Sequence, residues 1–426
     1  MKSDTKIKMI LILLGITLSV STIIYNEPTC NTENIEISEQ ALKLSKVSAR
    51  IHIDNNWTEV KTAGICTGDG TYTNPYVIED LIIDAEGSES GIFIENTNEF
   101  FKIENVTIFS ALNGSGIKLY YVNNGRLSNN NFSSNRFGIQ FLSSHNNTIL
   151  GNIITNNSGN GMDIWLSNNN TIKGNIVYNN HRNGFWACGS GNIIVENNAS
   201  QNQVGMLLNN MNYDLVSKNI VNNNSKTGIH IYYSGNMRIS ENTINYNDYG
   251  IILEESDNNT IIDNTANNNS VYGMKLDYGC SYNEISENII HNNRQGLKFY
   301  GSYYNTLYLN NINSETSNIL YVDSVNNWNS KKKMVYTYKG KNFTNYLGNY
   351  WSDYNGVDAN NDGIGDTPYM IGEDKDKYPL MDSIDNYIVI KIVERSKERI
   401  PGYNLILLFG ILSVGILLLP KRSKNS

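Results

Sequence analysis

A glycine recurs every twenty-odd residues through the middle of the chain. Successive copies lie 21 to 25 residues apart, and nearly every copy is followed by two apolar residues separated by one other residue. The repeated glycines are Gly91, Gly116, Gly138, Gly161, Gly184, Gly205, Gly228, Gly250, Gly273 and Gly296. A repeat of this length predicts a solenoid, in which each repeat forms one turn of a rod.

Asparagine also recurs at one position of each repeat, and it aligns two further apolar columns. Three residues before it lie Ile149 and Ile172 in successive repeats, and two residues after it lie Ile154 and Val177. The aligned asparagines are Asn152, Asn175, Asn197, Asn219, Asn242, Asn264, Asn288 and Asn310. The apolar patches lack the 3.6-residue period of a helix, and Asn and Gly are poor helix formers. The pattern therefore favours short strands.

We predict an all-β fold, a parallel β-helix of about ten turns over residues 91–317, with about three short strands in each turn. The apolar columns would fill the interior. The asparagine column would lie at a corner, where the side-chain amides hydrogen-bond from turn to turn. A stalk of unrelated hairpins is the alternative, and the common register of three columns argues against it.

A solenoid exposes its core and its strand edges at both ends unless other segments cover them. We predict a linker at 26–50 and an N-terminal cap at 51–90. The repeat stops after residue 317, and aromatic residues cluster in 318–386. These rings would form a C-terminal cap over the open end of the rod, and stacking on carbohydrate is the alternative role.

Each end of the chain carries an apolar run. Residues 1–25 have a basic start and an apolar core, which is typical of a signal peptide or an uncleaved N-terminal anchor. After a linker at 387–402, residues 403–420 predict a transmembrane helix and 421–426 a basic cytoplasmic tail. The two runs thus predict terminal hydrophobic helices, with the solenoid outside the cell and anchored in its membrane.

The charge of the chain bears on its partners. The formal net charge is −8 and the isoelectric point is about 5.3. No basic patch interleaved with aromatic residues is present in the sequence. The composition therefore argues against nucleic acid as a partner.

Residues 358–366 have the spacing of a calcium-binding loop. Oxygen-bearing side chains stand at positions 1, 3, 5 and 9, a glycine stands at position 6, and a backbone carbonyl is available at position 7. The candidate ligands are Asp358, Asn360, Asp362, Ile364 and Asp366. Tyr369 replaces the acid usual at position 12, and an Asx-rich turn without metal is the alternative.

The second and fourth residues after each repeat glycine should point outward, and they are not repeated. Trp165, Trp186, Tyr232 and Tyr300 occupy such positions and are candidates for stacking on sugar rings. Glu254 and Asp277 lie on neighbouring turns, so their carboxyl groups should be about 5 Å apart, the separation of a retaining glycosidase. With Lys275 they form the candidate catalytic set, and ordinary surface charge is the alternative.

Three features together resemble a known family. They are the sequence Gly-Asp-Gly-Thr-Tyr-Thr-Asn-Pro-Tyr-Val-Ile at 68–78, the Asn-rich turns, and the exit sequence that runs from Leu-Gly-Asn-Tyr-Trp-Ser-Asp-Tyr at 347–354 to Asp-Gly-Ile-Gly-Asp-Thr-Pro-Tyr at 362–369. The chain resembles NosD-like right-handed parallel β-helix proteins of archaeal and bacterial surfaces. Pro401-Gly402-Tyr403 with the following apolar run resembles archaeal C-terminal sorting signals, which usually carry Phe where Tyr403 stands.

The resemblance implies several functions. Members of this family are often labelled periplasmic copper-binding proteins, and their repeats resemble carbohydrate-binding and sugar-hydrolase modules. The histidines of this chain fall at different offsets within their turns, so we predict no copper site, and calcium is the metal ion that the sequence favours. Glycine-histidine-glycine and Asn-Thr-Asp motifs of β-helix enzymes are also absent from the sequence.

We therefore predict a non-catalytic surface protein that binds a glycan or another cell-envelope polymer, or that has a structural or adhesive role in the envelope. A polysaccharide hydrolase or lyase is the first alternative. A copper accessory protein is the second.

Overall fold

The computed structural model describes residues 46–392, in which the chain winds repeatedly through parallel β-sheets. Each strand pairs with the equivalent strand one turn further along the chain, so that Ile139 aligns with Met162, for example. Parallel neighbours need a crossover connection, and the rest of each turn provides it. The architecture is a right-handed parallel β-helix.

Sheet A is the longest sheet, with thirteen strands, and it contains the apolar residues that follow the repeat glycines. Its strands are Ile51–Asp54, Ile92–Thr97, Ser115–Val122, Phe137–Leu142, Met162–Trp165, Asn183–Ser190, Val204–Asn212, Thr227–Tyr232, Tyr249–Glu254, Tyr272–Asp277, Ile289–Tyr300, Asn311–Val322 and Tyr350–Trp351.

Sheet B follows sheet A in each turn and has twelve strands. They are Tyr76–Glu79, Phe101–Glu104, Gly125–Ser128, Thr148–Leu150, Thr171–Lys173, Ile193–Val195, Leu215–Ser217, Arg238–Ser240, Thr260–Ile262, Glu284–Ser286, Tyr303–Tyr308 and Val325–Asn327.

Sheet C completes the turn and has six regular strands. They are Lys46–Ser48, Leu81–Asp84, Thr107–Phe109, Asn131–Ser133, Ile153–Thr155 and Ile176–Tyr178. Single parallel bridges continue this sheet from Ile176 through Asn198 and Ile220 to Ile289. The three sheets therefore enclose one continuous interior.

Alternate residues of each strand point into that interior. In sheet A the first and third residues after the repeat glycines are buried, as Ile229 and Ile231 illustrate with no exposed surface. Burying an aliphatic side chain of this size contributes roughly 1.5–3 kcal/mol. Because every turn adds the same residues, the apolar columns form one core along the rod.

Ladders of buried asparagines run along the corners. In the ladder that begins at Asn130, the backbone N–H and the side-chain amide of each member both donate to Oδ1 of the member one turn on. Asn242, for example, donates to Asn264 at 3.0 and 2.9 Å. The same amide also donates to a backbone carbonyl of the previous turn, which is Val216 for Asn242. The predicted amide stacking is confirmed, and it satisfies polar backbone groups that the corners bury.

Other elements lie at the two ends of the rod. The helix Trp57–Thr62 buries Trp57, whose ring stacks on Tyr76 at 4.8 Å. After sheet B ends, an antiparallel sheet forms from Met334–Tyr338, Lys341–Asn345 and Tyr387–Ile392, and a hairpin from Tyr369–Ile371 and Asp374–Asp376. A short 3-10 helix spans Ile384–Asn386. Trp328 and Trp351 are buried and join the core of the last turns.

The predicted parallel β-helix is confirmed, and its sheets extend beyond residues 91–317 in both directions, from Lys46–Ser48 to Tyr350–Trp351. The two predicted terminal helices, the signal or anchor segment and the sorting-signal-like tail lie outside the described residues. Within residues 46–392 no helix has the length and apolarity needed to cross a membrane.

Candidate functional site

Two outward columns run along sheet A, at the second and fourth positions after each repeat glycine. Strand pairing aligns Trp186 with Asp163 on one side and with Leu207 on the other. It likewise aligns Tyr232 with Glu254. These pairs match the prediction from the repeat period, but the fourth-position column is interrupted at Cys188, where the strand register shifts between Ala187 and Gly189.

Trp165 and Trp186 form a pair on this outer face. Their ring centroids are 4.9 Å apart and their planes are inclined by 30°. Trp165 is 38 % exposed, whereas Trp57, Trp328 and Trp351 are at most 2 % exposed. Of the five tryptophans, this pair alone presents an aromatic surface to solvent.

Asp163 lies in the same outward column as Trp186, yet it is 6 % exposed. Burial raises the pKa of its carboxyl group to about 6, and contacts with Gln140 and Arg136 oppose that shift. Gln140 donates to Oδ2 at 3.5 Å, whereas Oδ1 has no partner among the described residues. The carboxyl group beside the tryptophan pair is therefore held in a poorly solvated environment.

The other two predicted aromatic residues are not part of this pair. Tyr232 lies 4.1 Å from the ring of Tyr233, and Tyr300 lies 5.5 Å from the ring of Tyr278. The pairing of sheet A places Glu254 and Asp277 between Tyr232 and Tyr300 in the fourth-position column. The four aromatic candidates thus form three separate ring clusters along one edge of the sheet.

Sequence reasoning missed the fifth position after the glycine, where sheet A turns towards sheet B. Residues there adopt left-handed backbone, with φ of 47° at Leu166, Tyr233 and Glu255 and 56° at Tyr278. This conformation directs the side chains outward, and Leu166, Tyr233 and Tyr278 are about half exposed. Extending the outward columns by one residue would have found them, since Tyr121, Leu166, Tyr233 and Tyr278 share one offset.

A groove of about 770 Å³ lies at this corner, which we call the A–B corner. Trp165 and Leu166 line it in one turn and Cys188 in the next. Side-chain amides such as that of Asn209 and the carboxyl groups of later turns, including that of Glu255, complete its lining. The groove therefore crosses several turns and is bordered by the exposed aromatic residues.

The candidate catalytic residues form an ion-pair cluster elsewhere on sheet A. Strand pairing aligns Glu254 with Asp277, and Lys275 contacts both, at 3.9 and 2.5 Å. Lys298 lies 3.6 Å from Asp277, and His230 lies 3.3 Å from Glu254. Asp277 itself is 2 % exposed. The two carboxylates are therefore neutralised by cations on neighbouring positions.

Protonation in this cluster follows from burial and the ion pairs. Burial lowers the pKa of His230 more than Glu254 raises it, which favours the neutral imidazole. For Lys275, burial lowers the pKa, but the hydrogen bond and charge of Asp277, together with Glu254 and Tyr249, outweigh it, so the net shift is upward. The lysine therefore stays charged and stays bound to its carboxylate.

The calcium-like loop folds as a tight turn. The two carboxylate oxygens of Asp358 accept the backbone N–H groups of Asp362 and Gly363 at 3.1 and 2.8 Å. Oδ1 of Asn360 accepts the N–H of Asp362, and Oδ2 of Asp366 accepts that of Ala359, at 2.9 and 2.8 Å. Backbone N–H groups of the loop itself thus hold these oxygen-bearing side chains in place. Calcium binding there stays a prediction.

The histidines do not form a cluster. They are His52, His145, His181, His230 and His291. His52 and His230 face carboxylates at 2.8 and 3.3 Å. In residues 46–392 there is no group of three or more His, Cys, Asp or Glu side chains that could hold a metal ion. These donors do not fit a copper centre, and the absence of a copper site from the whole chain stays a prediction.

Solved structures match the chain only at low similarity. The Azotobacter vinelandii mannuronan C-5 epimerase AlgE6 A-module has a TM-score of 0.48 and 13 % identity, covering 66 % of this chain and 91 % of that one. The periplasmic alginate epimerase AlgG has a TM-score of 0.36 and 16 % identity, covering 65 % of this chain and 84 % of that one. The Dettilon tailspike protein gp208 has a TM-score of 0.43 and 14 % identity, covering 55 % of this chain and 56 % of that one. At such values the activities in these names describe those proteins alone.

Curated protein sequences give no match to the chain. A family model does match it, over residues 15–161 and 158–356, and its description is periplasmic copper-binding protein (NosD). The matched residues span most of the described β-helix, including the tryptophan pair and the A–B corner. The chain belongs to the NosD family.

Proposed function

We propose that this protein is a non-catalytic, polysaccharide-binding protein of the cell envelope, which holds an extended glycan along the A–B corner. The proposal rests on a line of large, exposed apolar residues at that corner, most of them aromatic. It includes Trp165, Leu166, Tyr233, Tyr278 and Tyr300, each between 38 % and 59 % exposed. The surface of a soluble protein seldom exposes so many large apolar groups in one line unless they bind a partner.

The chemistry of these residues suits a sugar polymer. An aromatic ring offers a flat apolar face, and a tyrosine adds a hydroxyl group at its edge. The groove beside the rings supplies side-chain amides and carboxylates, which can bond to several hydroxyl groups. A pyranose ring has both an apolar face and a rim of hydroxyl groups, so it matches such a surface.

The geometry favours a long ligand over a small one. Turns of a parallel β-helix repeat at roughly 4.8 Å, the spacing of neighbouring strands. Aromatic clusters at Trp165, Tyr233 and Tyr300 therefore lie along one axis of the rod, several turns apart. A polymer chain that lies parallel to this axis would contact all three, whereas a monosaccharide would contact one.

A location outside the cytoplasm is part of the proposal. The family description as periplasmic supports it, as does the signal-like sequence of residues 1–25. We further propose that the apolar run at 403–420 anchors the chain in the membrane, which would present the rod to envelope polymers. A structural or adhesive role in the envelope would use the same surface.

The ion-pair cluster supports a non-catalytic reading. A retaining glycosidase needs one carboxylate free to attack and another that carries a proton. Asp277 is buried and bound by Lys275 and Lys298, so neither role is open to it without the loss of those contacts. A hydrolase or lyase remains the alternative, and release of reducing ends or of unsaturated sugars from a bound polysaccharide would favour it.

The proposal is tested by binding of the full chain to a polysaccharide panel, with Trp165→Ala and Trp186→Ala as variants. We expect at least tenfold weaker binding for each variant, since central aromatic contacts dominate binding energy. Tyr178→Ala is the matched control, because Tyr178 is a partly exposed ring on sheet C. Melting temperatures establish that the variants are folded. Unchanged binding in both tryptophan variants would refute the proposal.

A further inference from the structure

One corner of the rod is a residue shorter than its neighbours. The segment from the third residue after the repeat glycine to the residue before sheet B runs from 164 to 170 in one turn, from 187 to 192 in the next and from 208 to 214 in the third. The strand register shifts at this point, between Ala187 and Gly189. The middle turn therefore takes a tighter path at the A–B corner than the turns on either side.

Gly189 makes the tighter path possible. A Cβ atom at this position would lie 2.2 Å from the backbone oxygen of Ser167, so only glycine allows this approach to the preceding turn. Cys188 is 4 % exposed and lines the groove at this level, whereas Leu166 and Asn210, at the equivalent corner of the adjacent turns, are exposed. The shortened corner is thus a recess, and the groove forms over it.

The charged residues that line the groove are acidic. Its lining includes the carboxyl groups of Glu255 and Asp257 and no Lys, Arg or His. On the outer face of sheet A, Lys275 and Lys298 are both paired with Asp277, at 2.5 and 3.6 Å. An anionic group in the groove would therefore meet two carboxylates and no free cation of the lining.

The other polar groups of the lining are uncharged. They are mainly asparagine amides, including Asn209, Asn212 and Asn236. Asn236 donates to Asn212 at 2.9 Å, which leaves donors and acceptors of both amides for a ligand. Amides and carboxylates both accept hydrogen bonds from hydroxyl groups. An uncharged, hydroxyl-rich chain would therefore find hydrogen-bond acceptors along the groove.

We propose that the groove over the shortened corner binds a neutral stretch of polysaccharide and rejects uronate-rich chains. This inference rests on the proposed function, and it names the substrate class of the same site. Trp165 supplies the apolar platform at one end of the groove, and Glu255 with Asp257 sets the charge selection at the other.

The test is titration calorimetry of the full chain at low ionic strength with paired oligosaccharides of equal length. Each neutral member is paired with its uronate counterpart: glucan with glucuronan, galactan with galacturonan, mannan with mannuronan. We expect the best neutral ligand to bind at least tenfold more tightly than its uronate partner. Glu255→Lys should reduce that ratio at least threefold, because it removes one repulsive charge and adds an attractive one.

Controls separate charge selection from other effects. Glu315→Lys makes the same change at an exposed site of a later turn, and it should leave the ratio unaltered. Trp165→Ala should weaken neutral and uronate ligands alike. A uronate ligand that binds as tightly as its neutral partner, or a ratio that Glu255→Lys does not change, would overturn this inference and leave the proposed function standing. Failure of every oligosaccharide to bind would overturn both.

Discussion

Asp376 accepts the backbone N–H of Asn349 at 2.7 Å and so ends the asparagine ladder that begins at Asn130. Along the ladder each asparagine donates to the next, so the last member needs an acceptor that requires none in return. The carboxylate of Asp376 meets that need and also accepts the indole N–H of Trp351 at 3.1 Å. Asp374, in the same hairpin, accepts the N–H of Asn326 at 2.8 Å and ends a second ladder in the same way.

Replacing Asp376 with asparagine should destabilise the C-terminal end of the rod. One carboxylate oxygen of Asp376 accepts the N–H of Tyr378 at 3.0 Å, and the other accepts those of Asn349 and Trp351. The amide of asparagine keeps one acceptor oxygen and replaces the other with an N–H₂ group, which cannot accept. We expect Asp376→Asn to lower the free energy of unfolding by about 3 kcal/mol, since buried donors lose a charged acceptor. Urea unfolding measures it. Glu373→Gln, exposed in the same hairpin, should change stability little, and an equal loss in both would contradict this account.

A single ladder asparagine in the middle of the rod should also matter. Asn242 accepts from Asn219 and donates to Asn264 and to Val216, so Asn242→Ala leaves several buried groups without partners. We expect a loss of about 1–3 kcal/mol in the free energy of unfolding, measured by chemical denaturation. Asn327→Ala removes an exposed asparagine of sheet B and is the control. Equal stability of the two variants would show that the ladder contributes nothing specific.

The buried carboxyl group of Asp214 should make the stability of the protein depend on pH. It occupies an asparagine position at the corner and accepts the N–H of Asn192 at 2.6 Å, but Oδ2 of Asp214 and Nδ2 of Asn192 are buried without partners among the described residues. Burial raises the pKa of Asp214 to about 7, against an opposing contribution from the hydrogen bond with Asn192. The stability that the protonated carboxyl group contributes is therefore complete below its unfolded pKa, about 3.9, and is lost as pH rises through 7.

The variant Asp214→Asn should remove this dependence, because the amide is uncharged and continues the ladder. We expect it to be more stable than the wild type by about 1–3 kcal/mol at pH 8, with a smaller advantage at pH 5. Melting curves between pH 5 and 8 measure the difference. Asp323→Asn, at an exposed site, should follow the wild-type profile. A wild-type and Asp214→Asn difference that is constant over this range would contradict the assignment to Asp214.

The loop at 358–366 predicts stabilisation by calcium. If its oxygen atoms bind the ion in the folded state alone, millimolar calcium after dialysis against a chelator should raise stability by roughly 2 kcal/mol, for a site of submillimolar affinity. Asp358→Ala and Asp362→Ala should abolish the rise in melting temperature, whereas Asp385→Ala, at an exposed aspartate beyond the loop, should retain it. Equal melting curves of the wild type with and without calcium would refute the site.

The sequence was most informative where residues repeat. The glycine period defines the turn, and the turn defines strand pairing, so the neighbours of Trp186 and Tyr232 followed from numbering alone. The role of Asp376 could not be predicted in this way, because a hairpin distant in the sequence folds back onto Asn349. The burial of Asp277 between lysines was equally hidden, since it depends on side-chain packing of three turns.

The candidate site was only partly predictable for a related reason. Columns at the second and fourth positions follow from the alternation of a strand, but the corner residues Tyr233 and Glu255 leave that alternation through left-handed backbone. The groove depends further on one absent residue, visible as the spacing of 8 between Gly184 and Asn192, where the preceding turn has 9 between Gly161 and Asn170. The effect of this missing residue on the path of the backbone is visible only in the structure, in the close approach of Gly189 to Ser167.

We infer that a polysaccharide covers Trp165 and Trp186, a claim that can be tested by collisional quenching of tryptophan fluorescence. Because the other three tryptophans are buried, acrylamide quenching of the full chain reports mainly on this pair. A polysaccharide whose binding is established by calorimetry should reduce the quenching constant severalfold at saturation, and should have no such effect in the Trp165→Ala, Trp186→Ala double variant. A polysaccharide that binds the wild type and leaves its quenching constant unchanged would contradict the claim.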